Sequence, residues 1–225
     1  IEIQSETQSE VNNILSAKGD VIVTFKGNIL RADNLVYDKN KKYIYAEGNI
    51  SFEIGNQILQ SEEIEYDIAA KKGKLLKVKG LLLSDNLIDD LYGNFDDSDT
   101  EKDLILRKIK KEKVLHTPEG IKNWVFFTDE LEIDNDIWKA DQAIFTNDLL
   151  ELNQVKIVIN SLKVIPNQEK IRFKSSLNYL ILDEKLSIPF WVGNRTITKD
   201  DNDTGSFLSK LNIGFDNVDK DGYFI

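Results

Sequence analysis

The first candidates for a functional site are an acidic stretch and a single histidine, because carboxylates and imidazole can bind metal ions. Asp96, Asp97, Asp99 and Glu101 place four carboxylates close enough in sequence to be considered as calcium ligands. The fixed glycine and final glutamate of an EF-hand loop are missing here, so a solvated acidic loop is the better interpretation. His116 is the only histidine and no cysteine accompanies it, so a histidine-rich or thiolate metal site is excluded.

A second acidic stretch, residues 217–222, has the sequence NVDKDG and resembles the first half of a calcium-binding loop. The segment before it is strand-like, and the twelfth loop position falls after residue 225, so a hairpin turn explains it better. No Gly-x-Ser-x-Gly, Walker or Rossmann pattern occurs in the chain. Carboxylates are plentiful, so counting alone leaves a glycosidase pair open. We predict no catalytic residue, no metal and no cofactor.

The composition excludes several classes of partner. A net charge of −10 over 225 residues argues against nucleic acid, because phosphate binding needs a basic face. The same charge disfavours adsorption to an anionic membrane surface. No apolar run approaches the roughly 18 residues of a membrane-spanning helix. Methionine is absent even at position 1, which predicts a chain that was processed or cut from a longer precursor.

An internal repeat organises the chain. The copies begin at Gly19 and Gly48, 29 residues apart. At this offset the Tyr37-Asp38 pair of the first copy aligns with Tyr66-Asp67 of the second. Apolar and polar residues alternate within each copy, which predicts half-buried strands with the same apolar face in both. A repeat of this length is typical of a stacked, solenoid-like architecture.

The rest of the chain divides around one interruption. Residues 1–18 look like half a repeat, and residues 84–120 break the pattern with an acidic, loop-like part and a basic part, 104–115, that could form a short helix. Strand-like segments return afterwards, among them 155–159 and 162–165, and Pro189 limits its own strand to an edge or a start. Many short strands between polar turns predict an all-β fold.

The repeat units resemble the OstA-like family of lipopolysaccharide transport. The units ILRADNLVYDKNKKYIYAEGNISF and ILQSEEIEYDIAAKKGKLLKVKG follow its pattern of A-D-x-apolar-x-Y-D and then A-x-G-N/D-V/I. Three later stretches, WVFFTDELEIDNDIWKADQAIFTND, SSLNYLILDEKLSIPFW and GFDNVDKDGYFI, occur in the order of the family's outer-membrane translocon. Its best-known members carry disulfides between domain and barrel, and this cysteine-free chain cannot share that maturation step.

The resemblance implies a twisted β-jellyroll, or β-taco solenoid, of stacked antiparallel strands with an open apolar groove. Acyl chains of lipid A would lie in that groove, where burial is worth about 0.8 kcal/mol per CH₂. The candidates for the groove lining share the apolar face of their strands: Val21, Val23, Phe25, Leu35, Tyr37, Ile50, Phe52, Ile54, Ile64, Tyr66, Trp124, Phe126, Trp138, Ile157, Ile159 and Phe173.

The resemblance also implies partners, a location and a division of the chain. The partners would be lipopolysaccharide, a periplasmic OstA-like bridge protein that pairs with an open sheet edge, and the outer-membrane lipoprotein plug of the translocon. The chain would lie at the periplasmic face of the outer membrane and would not be an enzyme. Residues 1–83 and 121–199 would form the jellyroll, 84–120 an insertion or boundary loop, and 200–225 a linker and the start of a truncated barrel.

Three alternatives stay open on the sequence alone. The chain could be a structural or adhesive β-solenoid with a closed, dry core. It could be the soluble periplasmic bridge protein of the same family. It could also be a polysaccharide-active β enzyme, which would need convergent carboxylates in a cleft. Uptake of an apolar probe would distinguish the lipid conduit from the closed solenoid. Several hundred further residues of alternating strands after residue 225 would distinguish the translocon from the bridge protein.

Overall fold

The computed structural model of the chain describes residues 1–25, 27–83, 87–92, 123–147, 155–167, 170–198, 214–216 and 222–224. The all-β prediction is confirmed, because fourteen strands form one open antiparallel sheet. Its strands are β1 (Glu2–Gln4), β2 (Thr7–Val11), β3 (Ile14–Phe25), β4 (Asn28–Asp38), β5 (Tyr43–Ile54), β6 (Gln57–Asp67), β7 (Lys72–Leu83), β8 (Asn123–Asp134), β9 (Ile137–Thr146), β10 (Val155–Pro166), β11 (Lys170–Lys174), β12 (Leu177–Leu182), β13 (Leu186–Val192) and β14 (Arg195–Thr198). A two-stranded sheet joins β15 (Gly214–Asp216) to β16 (Gly222–Phe224).

The strand boundaries follow the repeat. β3 and β5 cover equivalent residues 29 positions apart, and so do β4 and β6. β7 begins and ends 29 residues after β5, so it is a third copy of the first strand that the sequence comparison did not separate. Its inner residue Leu75 is buried like its equivalent Ala46. Val78 takes the buried position that Ile50 has in β5, 28 residues earlier, because Lys77 alone has a positive φ in β7 where both Gly48 and Asn49 have one in β5. The repeat therefore sets both the length and the bend of these strands.

Each long strand bends near its middle. The pairing of β3 with β4 shifts between Lys18 and Val21, and that of β5 with β6 shifts between Glu47 and Ile50. Gly48 occupies this corner in β5 with a φ of 78°, a conformation that favours glycine. A Cβ at Gly48 would also collide with the Asp33 carboxylate. The corner thus explains the Ala-x-Gly ends of the repeat.

The corners divide the sheet into two walls. The first wall holds residues 14–18, 34–38, 43–47, 63–67, 72–76 and 130–134, and the second holds 21–25, 28–32, 50–54, 57–61, 78–83 and 123–128. The inward side chains of both walls belong to one buried cluster. After β10 the walls separate, because residues 163–166 pair with β11 while residues 155–158 pair with β12. The sheet is therefore bent along its corners into two walls, as in a β-jellyroll.

β10 differs from the sequence prediction. Segments 155–159 and 162–165 were predicted as two strands, whereas the structure joins them into one strand bent at Ser161, where φ is 53°. The polar pair Asn160-Ser161 interrupts the apolar pattern, and the pairing with β9 skips Ser161 and resumes in the same register at Leu162. Pro189 lies in β13, which pairs with β12 alone among the described strands, so its prediction as an edge strand is confirmed.

One short helix, α1 (Leu87–Tyr92), lies in the acidic part of the 84–120 segment. The sequence favoured a helix in the basic part, residues 104–115, which falls outside the described residues. Leu87 and Leu91 are one helical turn apart and both are buried, so burial of one apolar face stabilises α1. No helix in the described part of the chain is long and apolar enough to cross a membrane.

Candidate functional site

The inner face of the bent sheet is the candidate site. All sixteen predicted lining residues lie on described strands, and twelve of them are buried in the cluster between the walls. The twelve are Val21, Val23, Leu35, Ile50, Ile54, Ile64, Trp124, Phe126, Trp138, Ile157, Ile159 and Phe173. The alternation in the sequence therefore placed these side chains on one face, and their contact with a lipid stays a prediction.

The other four predicted residues form a rim at the ends of the strands. Phe25 is 38% exposed at the end of β3, and Phe52 is half-buried near the end of β5. Tyr37 and Tyr66 are half-buried near the ends of β4 and β6, on the opposite wall. Aromatic side chains thus line both lips of the mouth over the first two copies of the repeat.

The Tyr66 side chain of the rim stays uncharged at neutral pH. Burial raises the pKa of the Tyr66 phenol above its ordinary value, and the carboxylates of Asp136 and Asp67 raise it further. A raised phenol pKa keeps the proton on the oxygen up to a higher pH, since the anion is disfavoured by both effects. The neutral ring can therefore pack against hydrocarbon.

A small cavity lies deeper between the walls. Its volume is about 50 Å³ and its surface is apolar throughout. Leu87 and Leu91 of α1 close it on one side, Phe126 comes from the second wall, and Trp138 and Phe173 come from the first wall and its extension. The cavity is therefore roofed by the helix and walled by both halves of the sheet.

A buried polar group fixes α1 over this cavity. The Asp90 carboxylate accepts hydrogen bonds from the backbone N–H of Asn56 at 2.9 Å and from Nε2 of Gln57 at 2.7 Å. The Gln57 side chain in turn accepts from the N–H of Leu83 at 2.8 Å and donates to its carbonyl at 3.2 Å. Asp90 is 7% exposed and Gln57 is 1% exposed. These bonds, the Asp90 latch, tie α1 to the β5–β6 turn.

The latch was not predicted from the sequence. Asp90 belongs to a stretch predicted to be acidic and loop-like, and its partners are more than thirty positions away in sequence. The only signal was the apolar spacing of Leu87 and Leu91, four residues apart. A pattern of that length is too short to predict a helix by itself.

A larger depression lies on the outer face of the sheet. It holds about 640 Å³ where β8 and β9 separate, between the pairs Phe127–Ile144 and Glu132–Lys139. Charged side chains of both signs surround it, and at its edge the Glu130 carboxylate pairs with the Lys74 ammonium at 2.7 Å. Hydrocarbon would strip water from these charges at a high cost, so the depression does not suit an acyl chain.

The described residues offer no other site with a clear chemistry. No group of three or more His, Cys, Asp or Glu residues among them could hold a metal ion. The four carboxylates at 96–101, which were considered as calcium ligands and predicted to be a solvated loop, lie outside the described residues, as do His116 and the turn at 217–221. The inner face is therefore the feature of the described chain that best fits a ligand.

Comparison with known proteins points in the same direction. Residues 118–225 match the model of a family described as a protein of unknown function, DUF3769. A stretch of 58 residues is 31% identical to the LPS-assembly protein LptD of Acinetobacter baumannii. Part of this chain is similar to LptD. The matched stretch covers 26% of the chain and 7% of LptD, which is consistent with an OstA-like family but leaves LptD's activity, substrate and partners as proposals for this chain.

Proposed function

We propose that this chain is the periplasmic domain of an LptD-like translocon and that it guides lipopolysaccharide toward the outer membrane without catalysis. The observation that carries the proposal is the single apolar inner face shared by both walls, with an aromatic rim at its mouth. Acyl chains of lipid A would lie between the walls, and the sugar and phosphate head would stay in water. The partial similarity to LptD supports the same assignment.

The repeat suits transport better than tight binding. Equivalent inner positions such as Leu35 and Ile64 recur every 29 residues and are buried to a similar degree. An acyl chain that moves along such a face exchanges one set of contacts for a similar set. Its binding free energy therefore changes little from one position to the next. Each buried CH₂ contributes about 0.8 kcal/mol. The outer face carries ion pairs such as Arg31–Glu53 at 3.6 Å and stays solvated.

The open edges of the sheet suit strand addition. β2 lies at one end of the first wall, and all five of its residues are exposed. β13 and β14 lie at the other end, on the two separated walls. We assign β2 to the OstA-like bridge protein, because the other end leads into residues 200–225, the proposed start of the barrel. Main-chain hydrogen bonds at an open edge supply affinity for an added strand.

Uptake of an apolar fluorescent probe tests the conduit. We expect the folded chain to bind N-phenylnaphthylamine saturably and lipid A to displace it. Phe52→Asp should weaken uptake by about tenfold or more, since even a partly desolvated charge costs more than the 1.4 kcal/mol that a factor of ten represents. Val36→Asp, on the exposed outer face, is the matched control and should bind the probe like the unchanged chain.

The opposite result would support a different function. If the folded chain takes up no probe, or if lipid A does not compete for it, the interior is closed to lipid. A structural or adhesive β-solenoid with a dry core would then be the better assignment.

A further inference from the structure

We propose that the cavity beneath α1 is a second acyl-chain site, and that Leu87 and Leu91 occupy it in this structure until a hydrocarbon chain displaces the helix. The inference rests on the proposed function and adds to it a particular place on the path and a segment that must move. The ligand is the saturated hydrocarbon tail of an amphiphile. The site lies under α1, beyond the two repeat copies whose mouth carries the aromatic rim.

The position of α1 is the first observation. The helix lies against β10 and reaches the β5–β6 turn through Asp90. Leu87 and Leu91 line the same cavity as Phe126 and Trp138, which belong to opposite walls. α1 therefore stands where an acyl chain moving along the inner face would have to pass. Its two leucines present branched hydrocarbon, which is chemically equivalent to the chain that would replace them.

The volume of the cavity is the second observation. With α1 in place, about 50 Å³ stays empty, which is about a third of the roughly 150 Å³ apolar cavity that admits one benzene molecule. The lining is apolar, and such cavities stay dry. An acyl chain of ordinary length therefore cannot enter while the leucines fill the site, so the two occupants exclude each other.

The attachment of α1 is the third observation. A six-residue helix is too short to be stable by itself, so α1 is held by its two leucines and by the Asp90 latch. On displacement the Asp90 carboxylate would regain water, and Gln57 would keep its two hydrogen bonds to Leu83. The incoming chain would replace the buried apolar surface of the leucines. Displacement therefore costs the two hydrogen bonds that Asp90 accepts from Asn56 and Gln57, and the apolar contacts of the incoming chain offset this cost.

A cross-link between α1 and the β5–β6 turn tests this exchange. The chain has no cysteine, so Asn56→Cys with Asp90→Cys supplies the two thiols, and the exposed position 56 admits a short bifunctional maleimide. Trp124 and Trp138 are buried between the walls, and Trp191→Phe removes the third tryptophan. A brominated stearate quenches tryptophan at short range and is the probe. We expect the open dithiol form to be half-quenched at a stearate concentration at least tenfold lower than the cross-linked form.

The readouts separate failure of this inference from failure of the proposed function. A photoreactive residue at Phe52 reports whether the stearate reaches the rim. Adducts at position 52 in both forms, with equal tryptophan quenching, would overturn the inference on α1 and leave the conduit standing. No adduct at position 52 in either folded form would overturn both.

A second variant covers the case in which the double-cysteine chain does not fold. Gly55 has a φ of 59°, and a Cβ there would collide with the Asp90 carboxylate. Gly55→Ala should therefore weaken the latch and lower the stearate concentration for half-quenching by several-fold. Gly193→Ala, at a φ of 90° with no neighbour near the added Cβ, controls for backbone strain. Equal quenching in these two variants would contradict the inference.

Discussion

Leu35→Ala is expected to lower the free energy of unfolding by about 3 kcal/mol, within the range of roughly 2–5 kcal/mol for buried leucines. Leu35 is 1% exposed and lies opposite Ala17 and Ala46 on the neighbouring strands. Small residues on both sides leave little that could move into the space, so the cavity would persist. The measurement is urea unfolding followed by tryptophan fluorescence and circular dichroism.

Val36→Ala is the matched control in the same strand. Val36 is 39% exposed on the outer face, so its truncation should change the stability by less than about 1 kcal/mol. Ile64→Ala, at the equivalent position in the next copy, should cost about as much as Leu35→Ala. If Leu35→Ala and Val36→Ala lowered the free energy of unfolding equally, β4 would not present one face to the core. The repeat would then not predict which side chains are buried.

Gln8→Pro is expected to weaken binding of the OstA-like bridge protein by about 100-fold. Asn12 and Asn13, with φ values of 53° and 64°, form the two-residue turn between Val11 and Ile14, and such a turn closes on a hydrogen-bonded pair. Backbone groups alternate in direction along an antiparallel strand, so the N–H groups of Gln8 and Glu10 point to the open edge of β2. Proline at position 8 removes one of these donors and places its ring there, and a 100-fold loss corresponds to about 2.8 kcal/mol.

Two comparisons make the edge-strand experiment specific. Gln8→Ala keeps the N–H and should bind the bridge protein as the unchanged chain does. Circular dichroism should be the same for both variants, because the N–H of position 8 points away from β3. Titration calorimetry with the purified bridge protein gives the affinities. Equal affinities for the two variants would place the partner on another edge, such as β13 or β14.

The sequence predicted the bent sheet well because the relevant signals are local. Alternation needs only neighbouring residues, and the 29-residue offset aligned β3 with β5 and β4 with β6 residue by residue. The corners were visible where glycine marks them, at Gly19 and Gly48. The corner of β7 was not visible in the sequence. Lys77 adopts the left-handed conformation there, with a φ of 53°, and a lysine does not indicate such a conformation.

The sequence could not predict how the interior is closed. The contact of Asp90 with Gln57 joins residues 33 positions apart, and it exists only because the turn and α1 meet above the cavity. An aspartate in an acidic stretch is usually solvated, so its type suggested the opposite. The separation of β8 from β9 is likewise a tertiary feature, since each strand stays paired with its other neighbour on both sides of the corner.

The direct measurement of the central claim is site-specific photo-crosslinking in the native membrane. A photoreactive residue replaces Phe52, which packs against the inner cluster, and in a separate variant it replaces Glu53, which pairs with Arg31 on the outer face. We predict a lipopolysaccharide adduct at position 52 and none at position 53. The absence of an adduct at position 52, in protein shown to be folded and assembled, would contradict the conduit and indicate a closed, dry core.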